Sequence, residues 1–362
     1  MIKRRRSRII KIGRVPIGGN KPIAVQSMTK THTRDVSGTL RQIKELEASG
    51  CEIVRLSVAD LEDAAAIKKI KPFSRLPLVA DIHFDFRLAL AAIDNGIDKV
   101  RLNPGNIYKR EEVREVARAA KAARIPIRVG VNSGSLKGYR RLPAGRRQDI
   151  SSSMVKSAMG YIKMLEGFGF FDIVVSLKAS DIFDTIEAYR KMAAVCDYPF
   201  HLGVTATGLA AQGIIKSAIS IGVLLSRGIG DTIRVSLTGS PQEEVKASRA
   251  ILQAMGLRNF APEIISCPTC GRCQVDLIKI VKDLEVKLST SSYGGDQPTT
   301  LPQKVAVMGC MVNGPGEARA ADIGIAFGKK EGLLFKKGRP VRKIAANECV
   351  RQLLKTIKNI NH

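Results

Sequence analysis

The chain has 362 residues, 44% of them hydrophobic, and a formal net charge of +26 from 59 Lys and Arg against 33 Asp and Glu. That length suits a large domain with a smaller one, and no apolar run approaches the roughly 20 residues of a membrane-spanning helix, so a soluble, cytoplasmic protein is expected. The charge alone would attract nucleic acid. However, the basic residues are spread along the chain, Trp is absent and no nucleic-acid motif occurs, so an anionic small molecule or an acidic protein is the better-matched partner.

In chain order, 8–21 reads as a small hairpin with Gly18-Gly19-Asn20 as its turn. Eight β-rich runs follow, at 23–27, 52–58, 77–83, 99–103, 126–132, 172–178, 199–205 and 232–237. Helical patterns alternate with them near 36–49, 60–71, 85–95, 109–124, 151–168, 180–195, 211–227 and 241–255. Strands alternating with helices imply right-handed crossovers and a parallel sheet. Eight such units over about 250 residues predict an α/β TIM (β/α)8 barrel, its bottom closed by the hairpin.

The strands share a chemical habit. Arg55 lies in Val-Arg-Leu-Ser, Arg101 in Val-Arg-Leu-Asn, Arg128 in Ile-Arg-Val-Gly and Arg234 in Ile-Arg-Val-Ser, while Lys178 ends Val-Val-Ser-Leu-Lys and His83 ends Ala-Asp-Ile-His. A charge inside an apolar strand is costly unless it meets a polar cavity or a partner. One reading pairs each cation with a carboxylate such as Asp60, Asp81 or Asp85. The other converges them at the strand ends, where TIM barrels place active sites, to bind phosphate. Repetition in equivalent positions favours the second, and a diphosphate is the natural fit.

After Gly256 the rhythm changes, predicting a barrel over 1–258 and a smaller α+β domain over 259–362. Cys267-Pro-Thr-Cys270 is a close thiol pair and Cys310 a distant third, with a helix over 274–288, a loose stretch over 289–302 and a strand over 304–308 between them. Thiolates suit zinc and iron–sulfur clusters alike. Cys273 completes an all-cysteine zinc set, which leaves a zinc-stabilised TIM-barrel enzyme acting on a phosphosugar as the alternative. Against it stands the turn Asn313-Gly-Pro-Gly-Glu317, whose glycines allow backbone N–H groups to approach cluster sulfurs. Glu317 is either a weak, exchangeable iron ligand or an exposed carboxylate at a helix start. The remaining thiols, Cys51, Cys196 and Cys349, stand apart and read as ordinary buried cysteines.

Ser266-Cys-Pro-Thr-Cys-Gly-Arg, Val307-Met-Gly-Cys-Met-Val-Asn-Gly-Pro-Gly-Glu317, His201-Leu-Gly-Val-Thr and Gly228-Ile-Gly-Asp-Thr-Ile-Arg-Val-Ser together resemble the bacterial two-domain 4-hydroxy-3-methylbut-2-en-1-yl diphosphate synthase family, and the resemblance covers essentially the whole chain. It implies reductive opening and dehydroxylation of 2-C-methyl-D-erythritol 2,4-cyclodiphosphate in the non-mevalonate route to isoprenoids. It also implies one 4Fe–4S cluster per chain on Cys267, Cys270, Cys310 and Glu317, with Glu317 also catalytic, and diphosphate binding by Arg55, Arg101, Arg128, Asn132, Lys178, Arg234 and Ser236. A homodimer in which one subunit's barrel faces the other's cluster domain, and electrons from reduced ferredoxin or flavodoxin, come with the family. One departure stands out. Many members carry Val-Thr-Glu-Ala-Gly, with the Glu assigned to substrate contact or proton transfer, where this chain has Val204-Thr-Ala-Thr-Gly208 and so Ala206. Cys273 is not a family ligand.

Overall fold

The computed structural model describes residues 2–136, 149–205, 207–290 and 304–358. The chain divides into two compact units, Met1–Arg258 and Asn259–His362.

The first unit opens with an antiparallel hairpin, β1 (Ile10–Ile12) and β2 (Val15–Ile17). The eight strands of the parallel sheet follow: β3 (Ala24–Met28), β4 (Ile53–Val58), β5 (Leu78–Ile82), β6 (Lys99–Leu102), β7 (Ile127–Asn132), β8 (Ile173–Lys178), β9 (His201–Leu202) and β10 (Thr232–Ile233). They run in the order β8-β7-β6-β5-β4-β3-β10-β9. A parallel bridge between Val175 and Phe200 joins the two ends, so the sheet is a nearly closed TIM barrel. Ile10, Ile12 and Ile17 of the hairpin bury against Ala24, Ile53, Val79 and Val174, which form an apolar floor. The hairpin turns at Gly13, whose φ of 53° suits glycine, and not at Gly18–Asn20 as its composition suggested; that run carries the chain away from the hairpin. The last two strands are shorter than their β-rich runs. A Cβ on Gly203 would lie 2.6 Å from the Arg234 carbonyl and 2.8 Å from Lys178 Nζ. The backbones therefore crowd together beyond Leu202 and leave the regular ladder, keeping the bond from Arg234 N–H to the Leu202 carbonyl (3.0 Å).

The helices α1 (Val36–Ala48), α2 (Leu61–Ile70), α3 (Phe86–Asp94), α4 (Arg110–Ala122), α5 (Ile150–Gly167), α6 (Ile182–Val195), α7 (Ala210–Ser226) and α8 (Pro241–Ala254) alternate with the strands. Asp35, Asp60, Asp85, Asp149 and Asp181 cap the N-termini of α1, α2, α3, α5 and α6, each accepting a backbone N–H of the first turn. Each helix follows a strand, so these termini ring the C-terminal face of the barrel.

In the second unit, β11 (Glu263–Ser266), β12 (Lys304–Met308) and β13 (Ile323–Phe327) are parallel, and β14 (Glu331–Lys336) and β15 (Arg339–Ala345) extend the sheet antiparallel. With α9 (Leu277–Thr290), α10 (Gly314–Ala320) and α11 (Cys349–Lys358), this is an α+β unit. Leu277, Leu284 and Leu288 of α9 and Leu353 and Ile357 of α11 share one core with Val305, Val307, Ile325 and Phe327 of the sheet. The three strands after α10 have no counterpart in the sequence reading.

Candidate functional site

The barrel interior changes character above its apolar floor. Register places Asp81 of β5 beside Arg101 of β6, and Arg101 beside Arg128 of β7. These three face the lumen with Arg55, Lys178 and Arg234. Arg101 Nη1 lies 3.3 Å from Asp81 Oδ1, and Arg55 Nε lies 3.7 Å from Asp81 Oδ2. Asp81 is therefore the acid that pairs with the arginines, whereas Asp60 and Asp85 cap helices and bind Arg34 and Arg87. Burial pushes the Asp81 carboxyl upward, but Arg55, Arg101 and Arg128 outweigh it and hold it well below the usual carboxylate range.

Glycine makes room for this charge. A Cβ on Gly130 would lie 2.4 Å from Arg101 Nε, and Arg101 Nη2 donates to the Gly130 carbonyl at 2.9 Å. Gly203 does the same beneath Lys178.

The second interior acid is Glu244 of α8, which sequence reasoning passed over. Its Oε2 receives Arg234 Nη2 at 3.3 Å and Ser27 Oγ at 2.9 Å, and its Oε1 receives the Leu237 N–H at 3.0 Å. Lys178 Nζ lies 3.4 Å from His201 Nε2, whose Nδ1 is 2.9 Å from Thr232 Oγ1. Burial, then the charge of Lys178, holds the His201 imidazole well below its ordinary pKa, so it is neutral.

Arg128 is 1% exposed, and its Nε and Nη1 have no hydrogen-bond partner among the described residues. Burial and the neighbouring Arg55 pull its pKa well down. Asn132 ends β7 beside Lys178, half-buried, and Ser236 is half-buried just beyond β10. Ala206 lies outside the described residues. The barrel thus brings together all five predicted cations, two acids that do not balance them, and donors left open. Such an arrangement is chemically suited to a multiply charged anion held by bidentate arginine contacts.

In the smaller unit, Cys267 follows β11 and Cys310 follows β12. These strands are parallel neighbours with Ser266 beside Val307, so both thiols leave the same sheet edge. The Gly309 N–H donates to Cys267 Sγ at 3.4 Å. Backbone N–H groups of Val312 and Asn313 lower the pKa of Cys310, and those of Arg272, with its guanidinium, lower that of Cys270. Both shifts are toward the thiolate, which is the form that binds metal. Glu317 stands exposed in the first turn of α10. Among the described residues, no three Cys, His, Asp or Glu side chains converge as one ion requires. A cluster makes a different demand, since each ligand meets its own iron.

Cys273 lies beside these thiols, but its own sulfur is engaged. Its Sγ donates to the Val275 carbonyl at 3.3 Å and packs so close to Gly309 that a Cβ there would lie 2.3 Å away. In the 313–317 turn the Asn313 and Gly314 N–H groups approach the Cys310 sulfur, as the glycine-rich sequence suggested, and the turn also serves packing. A Cβ on Gly314 would stand 2.9 Å from that of Met308, so this glycine lets α10 lie on the sheet, while Gly316 faces open space.

The family descriptions "GcpE TIM-barrel domain" and "GcpE protein C-terminal domain" match residues 7–249 and 263–359. The chain belongs to the GcpE family. Two relatives bear the name 4-hydroxy-3-methylbut-2-en-1-yl diphosphate synthase (flavodoxin). That from Dehalococcoides mccartyi is 51% identical over 360 residues, covering 99% of this chain and 100% of its own length. The Clostridium perfringens protein is 50% identical over 359 residues, with the same coverage of both. Among solved structures, the Bacillus subtilis spore coat polysaccharide biosynthesis protein spsE aligns with a TM-score of 0.50 at 9% identity, covering 69% of this chain and 72% of its own. That likeness concerns the barrel fold alone. GcpE membership accounts for both units of the chain and for their order. Among the described residues, no helix is long and apolar enough to cross a membrane.

Proposed function

We propose that this GcpE protein opens 2-C-methyl-D-erythritol 2,4-cyclodiphosphate and reductively dehydroxylates it to 4-hydroxy-3-methylbut-2-en-1-yl diphosphate, with electrons from reduced flavodoxin or ferredoxin. The observation that carries the reading is the set of buried cations in the barrel, which exceeds its acids and leaves Arg128 N–H groups unpaired among the described residues. Arg55, Arg101, Arg128, Lys178 and Arg234 bind and orient the diphosphate, and Asn132 and Ser236 add hydrogen bonds at the mouth. Asp81 and Glu244 hold three of the arginines in place. As the ring C–O bond breaks, negative charge grows on the departing phosphate oxygen. Guanidinium groups fixed by these carboxylates stabilise that charge without reorganising.

Cys267, Cys270, Cys310 and Glu317 would hold one 4Fe–4S cluster per chain. Two thiols whose pKa values are lowered, a third beside a peptide N–H and an exposed carboxylate are ligand types that fit such a group. When bound, the cluster supplies single electrons and a Lewis-acidic iron. Glu317, as the weakest of the four ligands, is the one suited to exchange.

We further propose a cytoplasmic homodimer. Phe84 and Leu209 stand exposed on loops at the barrel mouth, and Phe183 in the first turn of α6, an apolar rim for a partner subunit to cover. The +26 charge would speed docking of an acidic electron carrier. Anaerobic isolation tests the reading: about four irons and four sulfides per chain are expected, with turnover of the cyclodiphosphate by reduced flavodoxin. Bound zinc with no visible absorbance and no turnover would overturn it.

A further inference from the structure

Lys99 opens β6 level with Val79 of the apolar floor, is fully buried, and its Nζ has no partner among the described residues. The charges that act on it are Arg128 on β7 and Arg55 on β4, and His201 on β9 is also in range; the lumen further holds Asp81 on β5, Arg101 on β6, Lys178 on β8 and Arg234 beyond β10, with Glu244 reaching in from α8. Both acids are already engaged, Asp81 by Arg55 and Arg101, Glu244 by Arg234, Ser27, the Leu237 N–H and Lys30. Neither is left for Lys99. The buried amide of Gln26 and two N–H groups of Arg128 are likewise open.

An ammonium here would be a desolvated charge facing other cations with no counterion, which a lysine avoids by shedding its proton. Burial and the charges of Arg128 and Arg55 act in that direction. A bound diphosphate reverses the balance by placing negative charge among the same arginines.

We propose that Lys99 is a proton-uptake site coupled to diphosphate binding, its amine uncharged in the free barrel and protonated from solvent when the anion enters. The proposal rests on the diphosphate reading of this site. One proton moves from solvent to Nζ, and no bond to the ligand forms or breaks. Lys99 is a positioning residue in this scheme, acting on the diphosphate through the field around Arg128.

The test is calorimetric titration of the cluster-loaded protein, without reductant, with the cyclic diphosphate. It is run slightly above neutral pH in two buffers of different protonation enthalpy. Each phosphate of this ligand carries one strongly acidic oxygen, so the ligand itself exchanges no proton there. Wild type is expected to take up about one proton per site, its affinity falling about tenfold per pH unit over that window. Lys99→Met should bind with uptake lower by about one proton and a flattened pH dependence, and Lys99→Arg, permanently charged, should lose the same proton. Uptake unchanged in both variants would transfer the role to Lys178 or His201 and overturn the proposal. Wild-type binding without uptake overturns it whether or not the variants fold. No wild-type binding at all overturns the diphosphate reading and this proposal with it.

Discussion

In the barrel, the charged side chains are buried and tied before any ligand arrives: Arg101 to Asp81 and Gly130, Arg234 to Glu244, Lys178 beside His201. At the cysteine end of the smaller unit, Cys270 and Glu317 are exposed, and no tight ligand group is assembled among the described residues. The two regions meet the cost of a charged site differently. The barrel is preorganised at the expense of folding stability, since desolvated cations are held near one another. The cysteine end, if it holds the proposed cluster, would defer its organisation to that group, whose binding energy would then become folding energy.

Removing Cys310 should separate these two strategies most sharply. Cys310→Ser should lose iron and at least about 10³-fold of activity, because a metal centre supplies several kcal/mol to the reaction. Ligand binding to the barrel should survive. Cys273→Ser should keep its iron, since Cys273 donates to Val275 and packs on Gly309. Metal analysis and visible absorbance check both, and iron loss in Cys273→Ser with retention in Cys310→Ser would reverse the ligand assignment.

Asp81 probes the stability side of the comparison. Asp81→Asn leaves Arg55 and Arg101 without their shared acid and should destabilise the barrel by about 3–5 kcal/mol in denaturant unfolding. The sign of the pH effect follows from the depressed carboxyl. Its contribution is complete above the unfolded carboxylate pKa of about 3.9 and is lost only as pH falls through the lower folded value. Wild type should therefore hold this part of its stability to lower pH than an ordinary exposed carboxylate would allow, and Asp81→Asn should lack that acid-range dependence.

Arg128 should show the opposite trade. Arg128→Met removes a buried cation whose N–H groups are unpaired among the described residues and should raise stability by about 1–3 kcal/mol. It should lower kcat/KM about 10²-fold through lost charge-assisted bonds to the diphosphate. A variant that lost both stability and activity would mean Arg128 serves the fold, and the barrel would not be a site preorganised at folding's expense.

How much of this was legible in the sequence follows the same division. Arg55, Arg101, Arg128 and Arg234 could be read because an arginine flanked by Val, Ile and Leu in a strand is an anomaly that demands a reason. Lys99 follows Asp98 at the start of its strand, where a lysine looks like ordinary surface, and only closure of the barrel buries it. Glu244 looked like one of two acids in a helix's first turn, a position that favours acids anyway. Which of Asp60, Asp81 and Asp85 pairs with the arginines depends on register, and register is a tertiary fact. Cys273 shares the spacing of a ligand with Cys270, but its direction is fixed by Gly309, which is 36 residues away in sequence.

The aspartates at the rim give the smallest effect and a control on the largest. Asp181 accepts N–H bonds from Phe183 and Asp184 at 2.8 and 2.9 Å and caps α6. It stands at the same barrel face as the cations, so a catalytic acid and a helix cap are both conceivable from position alone. The bonds decide between them: both go to Oδ1 and hold the carboxylate on the helix's own first turn, and the residue is exposed. Asp181→Ala should therefore cost about 1 kcal/mol of stability and leave kcat/KM within about twofold, because no transition-state interaction is removed. A large loss of kcat at unchanged stability would place acid chemistry at the rim, and the separation between a structural ring of aspartates and a cationic interior would fail.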